Sequence, residues 1–347
     1  LHAFKARWPF RHHGCRVDAS AMHQLVKVSA VLERRLGTHH KDKAPSEPGR
    51  LLAWAYPDRI ARQRPGQPGR FLLTSGRGAF FGTPEPLGAS EYLVAAHLDG
   101  ERREARIFMA AAIDKERLVD QFAHRMQWRE RVTWDSRRKA VSAVRQRVLG
   151  AIVVEAERLN NPDPEAVLAT MIAGIRKTGI DVLPWTRALR TWQARVMLLR
   201  RAASGEEDWP DLSDAALAAD LETWLEPFLE GITSIRALAR LDLGNALHSR
   251  LSWRQRQQLD TLAPTHMVVP AGTRRPIDYS AEIPVLAVRI QEMFGAADTP
   301  AIAGGRLPLQ LHLLSPAGRP AQITRDLAGF WRNSYPAVKK ELKGRYP

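Results

Sequence analysis

The sequence predicts an α+β multidomain chain: a small β-barrel, an all-α helical unit and a C-terminal mixed α+β unit. Three observations predict it. Residues 70–111 read as strands punctuated by glycine-bearing turns. Residues 163–262 carry apolar stripes at three- and four-residue spacing between helix caps. From His266 the pattern returns to strands, closed by two short helices. A chain of 347 residues exceeds what one core organises. The expected divisions fall at 1–45, 46–158, 159–265 and 266–347.

Residues 18–36 read as one amphipathic helix. Asp18 caps it, Met22, Leu25, Ser29, Leu32 and Leu36 share a face, and Gly37 stops it. The polar stretch 38–49, with Pro45 and Pro48, reads as a linker. Next come a strand from Arg70, a turn at Ser75-Gly76-Arg77-Gly78 and a returning strand. Segments 91–100 and 105–111 read as two more strands, with a short helix from Asp114. Hairpin punctuation with a small helix suggests a barrel of the oligonucleotide-binding kind. Strands at Val132–Trp134 and Val141–Val144 flank a turn at Asp135. Alternation places Arg129 beside Arg131, and Arg145 beside Arg147, with the register between the strands open.

Asp163-Pro164 starts the next helix and Gly179 stops it. Leu189, Trp192, Val196 and Leu199 mark a second. One helix from Ser213 through Leu229, one through Leu238, Leu241 and Leu247, and one from Ser252 to about Leu262 complete the unit. Residues 205–231 hold nine acids and no cation. That block faces solvent or a basic surface, this protein's own included. Strands follow at 267–269, 277–279, 284–290 and 307–314, then helices near 326–333 and 336–343.

Several function classes are excluded or unsupported. No run of 18 apolar residues crosses a membrane, and residues 1–8 do not read as a secretory signal. The start lacks Met, which reads as a fragment. Cys15 is the single cysteine, so no internal disulfide framework forms and a reducing cytoplasm is expected. No P-loop, acidic metal box or Gly-x-Ser-x-Gly elbow occurs, so no cofactor and no catalytic residue is expected here. The pairs His12-His13 and His39-His40 read as exposed polar residues, and His266 and His312 as satisfied core histidines. Asp278 and Tyr279 read as a buried structural pair.

Charge carries the remaining signal. The net charge is +15, and ten of the 52 cations are lysine, leaving 42 arginines. A GC-rich genome inflates arginine but not net charge, which points to a polyanionic partner. Between residues 50 and 70, Arg50, Arg59, Arg62, Arg64 and Arg70 face one acid, Asp58. The last 26 residues set Phe330, Trp331, Tyr335 and Tyr346 among six cations and two acids. Guanidinium forks bind phosphate, and bases stack on aromatic rings at roughly 1–3 kcal/mol each. The candidate nucleic-acid-binding residues are therefore Arg59, Arg62, Arg64, Arg70, Arg77, Arg325, Trp331, Arg332, Lys339, Lys340 and Lys343. Their expected partner is single-stranded RNA or DNA.

Three stretches together resemble one family. Residues 49–66 (GRLLAWAYPDRIARQRPG) and 70–79 (RFLLTSGRGA) resemble the entry into the oligonucleotide-binding fold of the HrpB family, bacterial DEAH-box ATP-dependent helicases. Residues 264–280 and the closing DLAGFWRNSYPAVKKELKGRYP look like that family's C-terminal region. The resemblance implies an upstream two-lobed motor with Walker-type and DEAH motifs, a winged helix and a ratchet domain. Residues 1–45 would then be the end of the ratchet domain plus a linker. ATP and magnesium would belong to the motor domains in cis. The role implied here is to hold single-stranded nucleic acid, RNA foremost, against that motor. The alternative is a scaffold that docks on the motor lobes or recruits a protein.

Overall fold

A computed structural model describes residues 11–12, 15–16, 18–37, 47–100, 103–203 and 208–345, with 11–12, 15–16 and 342–345 by backbone alone. The chain divides into two compact units, 1–129 with 146–156, and 130–145 with 157–347.

In the first unit, helix α1 (Ala19–Leu36) starts where Asp18 Oδ1 accepts the Ser20 N–H at 2.8 Å, and ends at Gly37, φ 63°. None of its residues is buried; Leu25 is 62% and Leu36 72% exposed. Helix α2 (Pro48–Ala55) takes in Pro48 and Gly49, the last two residues read as linker; 38–46 lie outside the described residues. Proline suits a helix's first turn, where no N–H partner exists. Gly49 is needed because a Cβ there would strike the Ala112 carbonyl.

Five strands close a barrel: β1 (Ile60–Gln63), β2 (Arg70–Leu73), β3 (Gly78–Phe80), β4 (Tyr92–Leu98) and β5 (Glu104–Ala112). The order around it is β1-β2-β3-β5-β4, with β4 returning to β1. Only β3–β5 is parallel. Period-two alternation sorts the side chains. Ala61, Phe71, Leu73, Ala79, Leu93, Ala95 and Ile107 form one buried cluster. Their alternates Ile60, Tyr92 and Val94 join Ala53 of α2, Leu118 and Phe122 of α3 (Lys115–Phe122), and Leu149, Ile152 and Val154 in another. Tyr92 donates to the Val154 carbonyl at 3.3 Å, and burial pushes its phenol up to about 12. Strands β6 (Gln127–Asp135), β7 (Ala140–Leu149) and β8 (Ile152–Arg158) form a three-stranded sheet.

The second unit holds one continuous buried cluster from Met171 to Phe330. Helix α4 (Pro164–Thr178) has Asp163 as its cap, and Gly174 leaves room for the Trp134 indole. Helix α5 (Arg187–Ala202) is capped by Thr186, whose Oγ1 accepts the Leu189 N–H. The long helix expected after Ser213 is instead broken. α6 (Asp214–Ala219) and α7 (Leu221–Trp224) meet at Asp220, and a 3-10 turn carries Pro227. The next expected helix is likewise a 3-10 turn, Arg236–Arg240, then α8 (Leu243–His248) under an Asp242 cap. Helix α9 (Trp253–Leu262) opens with a Ser252–Gln255 capping box.

A five-stranded sheet follows in chain order: β9 (His266–Val268), β10 (Arg274–Asp278), β11 (Val285–Arg289), β12 (Gln310–Leu314) and β13 (Pro320–Thr324). β11–β12 is parallel. Ile277, Leu286, Val288, Leu311 and Leu313 send their side chains into the core. The two closing helices are one helical run. α10 (Leu327–Gly329) passes through a π turn at Phe330–Ser334 into α11 (Tyr335–Arg345).

Candidate nucleic-acid interface

Three strand ends converge on the barrel surface. Arg64 follows β1, Arg70 opens β2 and Glu104 opens β5. Glu104 accepts from both guanidinium groups, Oε1 to Arg64 Nη1 at 2.8 Å and Oε2 to Arg70 Nη1 at 3.0 Å. Gly78, opposite Glu104 in the β3–β5 register, leaves space for the pair. A Cβ there would lie 2.5 Å from Arg64 Nη2 and 2.7 Å from Glu104 Oε1. Gly82 does the same for Arg106, whose Nε would sit 2.5 Å from an added Cβ. Aromatic rings interleave these cations. Arg70 lies over Phe80 at 5.9 Å, Arg106 over Phe108 at 5.4 Å, and His97 meets Phe108 at 5.2 Å. Phe108 is 56% exposed. Forked donors beside exposed ring faces can grip phosphate and stack bases.

The other expected barrel cations are committed to the fold. Arg59 donates to the Ala96 carbonyl at 2.9 Å and lies over Tyr56 at 4.7 Å. Arg62 donates to the Val153 carbonyl, pairs with Glu91 at 3.5 Å and covers Tyr92. Arg77 is half-buried in the β2–β3 turn. In the closing segment, Arg325, Arg332, Lys339 and Lys340 are exposed and form no ion pair among the described residues. Lys343 lies in α11 with its side chain outside the described residues, as does Tyr346 entirely. Trp331 is half-buried. Its Nε1–H donates to the Ala296 carbonyl at 2.9 Å, and its ring meets Phe330 and Tyr335 at 5.0 Å each.

Glu104, Arg106, Phe80 and Phe108 were missed as site residues. The signal was the strict alternation of Glu104, Arg106 and Phe108 along one strand. The acidic block is largely self-neutralised. Asp211 pairs with Arg200, Asp214 with Arg190, Asp220 with Arg250 and Glu222 with Arg176; Glu206 and Glu207 lie outside the described residues. Hydrogen bonding from the Ser213 N–H holds Asp211 low, and the Arg176 side chain does so for Glu222. His266 is exposed rather than core, because β9 is an edge strand; His312 is half-buried. Asp278 and Tyr279 are not a buried pair. Tyr279 is buried and donates to the Pro264 carbonyl at 2.6 Å, whereas Asp278 is exposed and caps Ser280. His13, His39 and His40 lie outside the described residues. Among those described, no three His, Cys, Asp or Glu side chains gather as a metal site, and no helix is long and apolar enough to cross a membrane.

Residues 224–347 match the family model for the ATP-dependent helicase C-terminal region, and 125–159 that for the connector region of ATP-dependent RNA helicase HrpB. Both matches are to parts of HrpB-type helicases. It is 41% identical over 322 residues to ATP-dependent RNA helicase HrpB of Escherichia coli (strain K12), covering 92% of this chain and 40% of that protein. The crystal structure of the E. coli DExH-box NTPase HrpB matches with 38% identity and a TM-score of 0.53, over 99% of this chain and 43% of that one. A second, of the E. coli DEAH/RHA helicase HrpB, gives 39% and 0.50, over 92% and 40%. The chain thus spans about two fifths of the length of the relatives it matches. The exposed cations of its closing segment fall inside the matched C-terminal region, while the barrel face lies outside both matched segments.

Proposed function

We propose that this chain holds single-stranded nucleic acid, RNA foremost, as the accessory region of an ATP-dependent helicase whose motor domains act in cis in the cytoplasm. ATP and magnesium are expected at the motor rather than here. The observation that carries the reading is the Arg64–Glu104–Arg70 group with Arg106, Phe80 and Phe108 beside it. We assign the barrel to the oligonucleotide-binding kind. In that fold the second and third strands, with the loops joining strands one to two and four to five, take the ligand. Here those loops start at Arg64 and end at Glu104. Arg325, Arg332, Lys339, Lys340 and Lys343 extend the contact electrostatically.

The test is fluorescence anisotropy with labelled single-stranded RNA at low and moderate salt. Replacing Arg64 and Arg70 by Glu is expected to lower affinity more than tenfold at low salt, with less loss at higher salt. Unchanged affinity, or wild-type binding insensitive to salt, would sink the reading. A docking role is favoured by a different observation. An apolar groove of about 460 Å³, lined by Val167, Leu168 and Ile232, has Glu226 and Glu230 beside it. Changing Arg332, Lys339, Lys340 and Lys343 to Glu separates the two. Strand holding expects lost RNA affinity with the fold intact; docking expects unchanged RNA affinity and weaker association with the motor.

A further inference from the structure

Another cavity of the second unit, about 640 Å³, opens between α5 and the outer face of the sheet. That volume is within the roughly 300–1,000 Å³ of small-molecule pockets. Ala194, Val285 and Ala287 give it an apolar floor, and Arg187, Asp278 and His312 line it as well. The register explains their convergence: Asp278 stands opposite Val285, and Ala287 opposite His312.

The state of each group narrows the ligand. Arg190, also at the cavity, is already satisfied by Asp181 at 2.9 Å and Asp214 at 2.6 Å, and it stacks on Trp185 at 3.7 Å. Arg187 is exposed and forms no ion pair among the described residues. Asp278 Oδ1 accepts the Ser280 N–H at 2.9 Å. That bond, the Ser280 hydroxyl, and the charges of Arg187 and His312 hold the carboxyl below its usual range. It is therefore ionised at neutral pH, with lone pairs still to fill. His312 Nε2 is 3.1 Å from the Gln310 amide, which orients the ring.

A flat ring suits the floor, an anion suits Arg187, and adjacent N–H donors suit a carboxylate. Among the common bases, guanine alone sets a ring N–H and an amino group side by side. We propose that this cavity binds an unpaired guanosine nucleotide of the held strand, its base edge on Asp278, its phosphate on Arg187 and its ring over the floor beside His312. The assignment rests on the strand-holding reading and gives it a base preference.

The test is saturation-transfer NMR of the full chain with GMP, UMP and guanosine. Asp278→Asn keeps an oxygen for Ser280 while turning the other acceptor into a donor. GMP is expected to bind about tenfold more tightly to wild type than to Asp278→Asn, and about tenfold more tightly than UMP. Arg187→Ala, at an exposed position, should weaken GMP but leave guanosine unchanged. Equal GMP binding by wild type and Asp278→Asn, equal GMP and UMP binding, or no GMP binding would overturn the assignment. Failure of the strand-holding reading shows elsewhere: RNA affinity would ignore the Arg64 and Arg70 reversals whatever the mononucleotides do.

Discussion

The barrel face and the closing helical run both present cations, but they hold them differently. On the barrel, Arg64 and Arg70 share one carboxylate, and Arg70 and Arg106 lie over aromatic rings. Along the closing run, Arg325, Arg332, Lys339 and Lys340 stand exposed without ion pairs among the described residues. A guanidinium already oriented gives up little freedom when it meets a phosphate, whereas a free lysine stem carries about 2 kcal/mol of rotamer entropy to lose. Counting charges therefore misranks the two surfaces. The barrel offers fewer net charges in fixed geometry; the closing run offers attraction and reach.

The strongest way to break the comparison is to remove the barrel's platform. Phe71→Ala, at a fully buried position, should cost about 3–5 kcal/mol in a denaturant titration. A loss under about 1 kcal/mol would mean the barrel core does not set the face. Next in size is Arg64→Ala with Arg70→Ala. Two lost phosphate contacts should flatten the slope of log affinity against log salt by about 1.4 for a single strand. Lys339→Ala with Lys340→Ala should flatten it less, and a larger effect there would reverse the ranking.

Gly78→Ala sharpens the comparison without changing charge. Its Cβ would displace the Arg64–Glu104 pair, whose movable ends let the fold tolerate it. RNA affinity should fall about threefold if orientation is worth the low end of a typical net hydrogen bond, roughly 0.5–1 kcal/mol, and an unchanged Kd would leave charge count as the whole account. The smallest effect concerns acid. Asp211, Glu222, Asp278 and Glu292 are all held below the usual carboxylate range. For Glu292, burial pushes upward, but hydrogen bonds from Arg275, the Arg289 N–H and Thr273 outweigh it. Lowered folded values mean stability that is present above about pH 4 and lost as pH falls through those values. The second unit's urea midpoint should accordingly drop as pH falls from about 5 to about 3.

Legibility followed the range of the forces involved. Asp18, Gly37, Asp163, Gly179 and Ser252 were readable because caps satisfy backbone groups two or three residues away. The β2–β3 turn was readable for the same reason. β1 was not: Ile-Ala-Arg-Gln lacks apolar bulk, and its Ala61 is buried only by partners from other strands. β13 escaped because it begins with Pro320, which an edge strand tolerates. The helix after Ser213 kept its apolar spacing across breaks at Asp220 and Pro227, since both fragments pack into one core. At the site, the basic character of residues 50–70 was plain in sequence. Which arginines were consumed was not, because the Val153 carbonyl that takes Arg62 lies 91 residues away.

The π turn at Phe330–Ser334 has a directional consequence. An α-helix advances about 100° of azimuth per residue, and a π turn takes in one extra residue. It therefore works as a phase shifter: everything from Tyr335 onward points about 100° away from where an unbroken α-helix would aim it. Phe330 and Trp331 anchor the run before the shift, so the shift selects the compass bearing of Lys339 and Lys340. Deleting one residue between 332 and 334 would restore the phase and swing both lysines to a new bearing, with every charge retained.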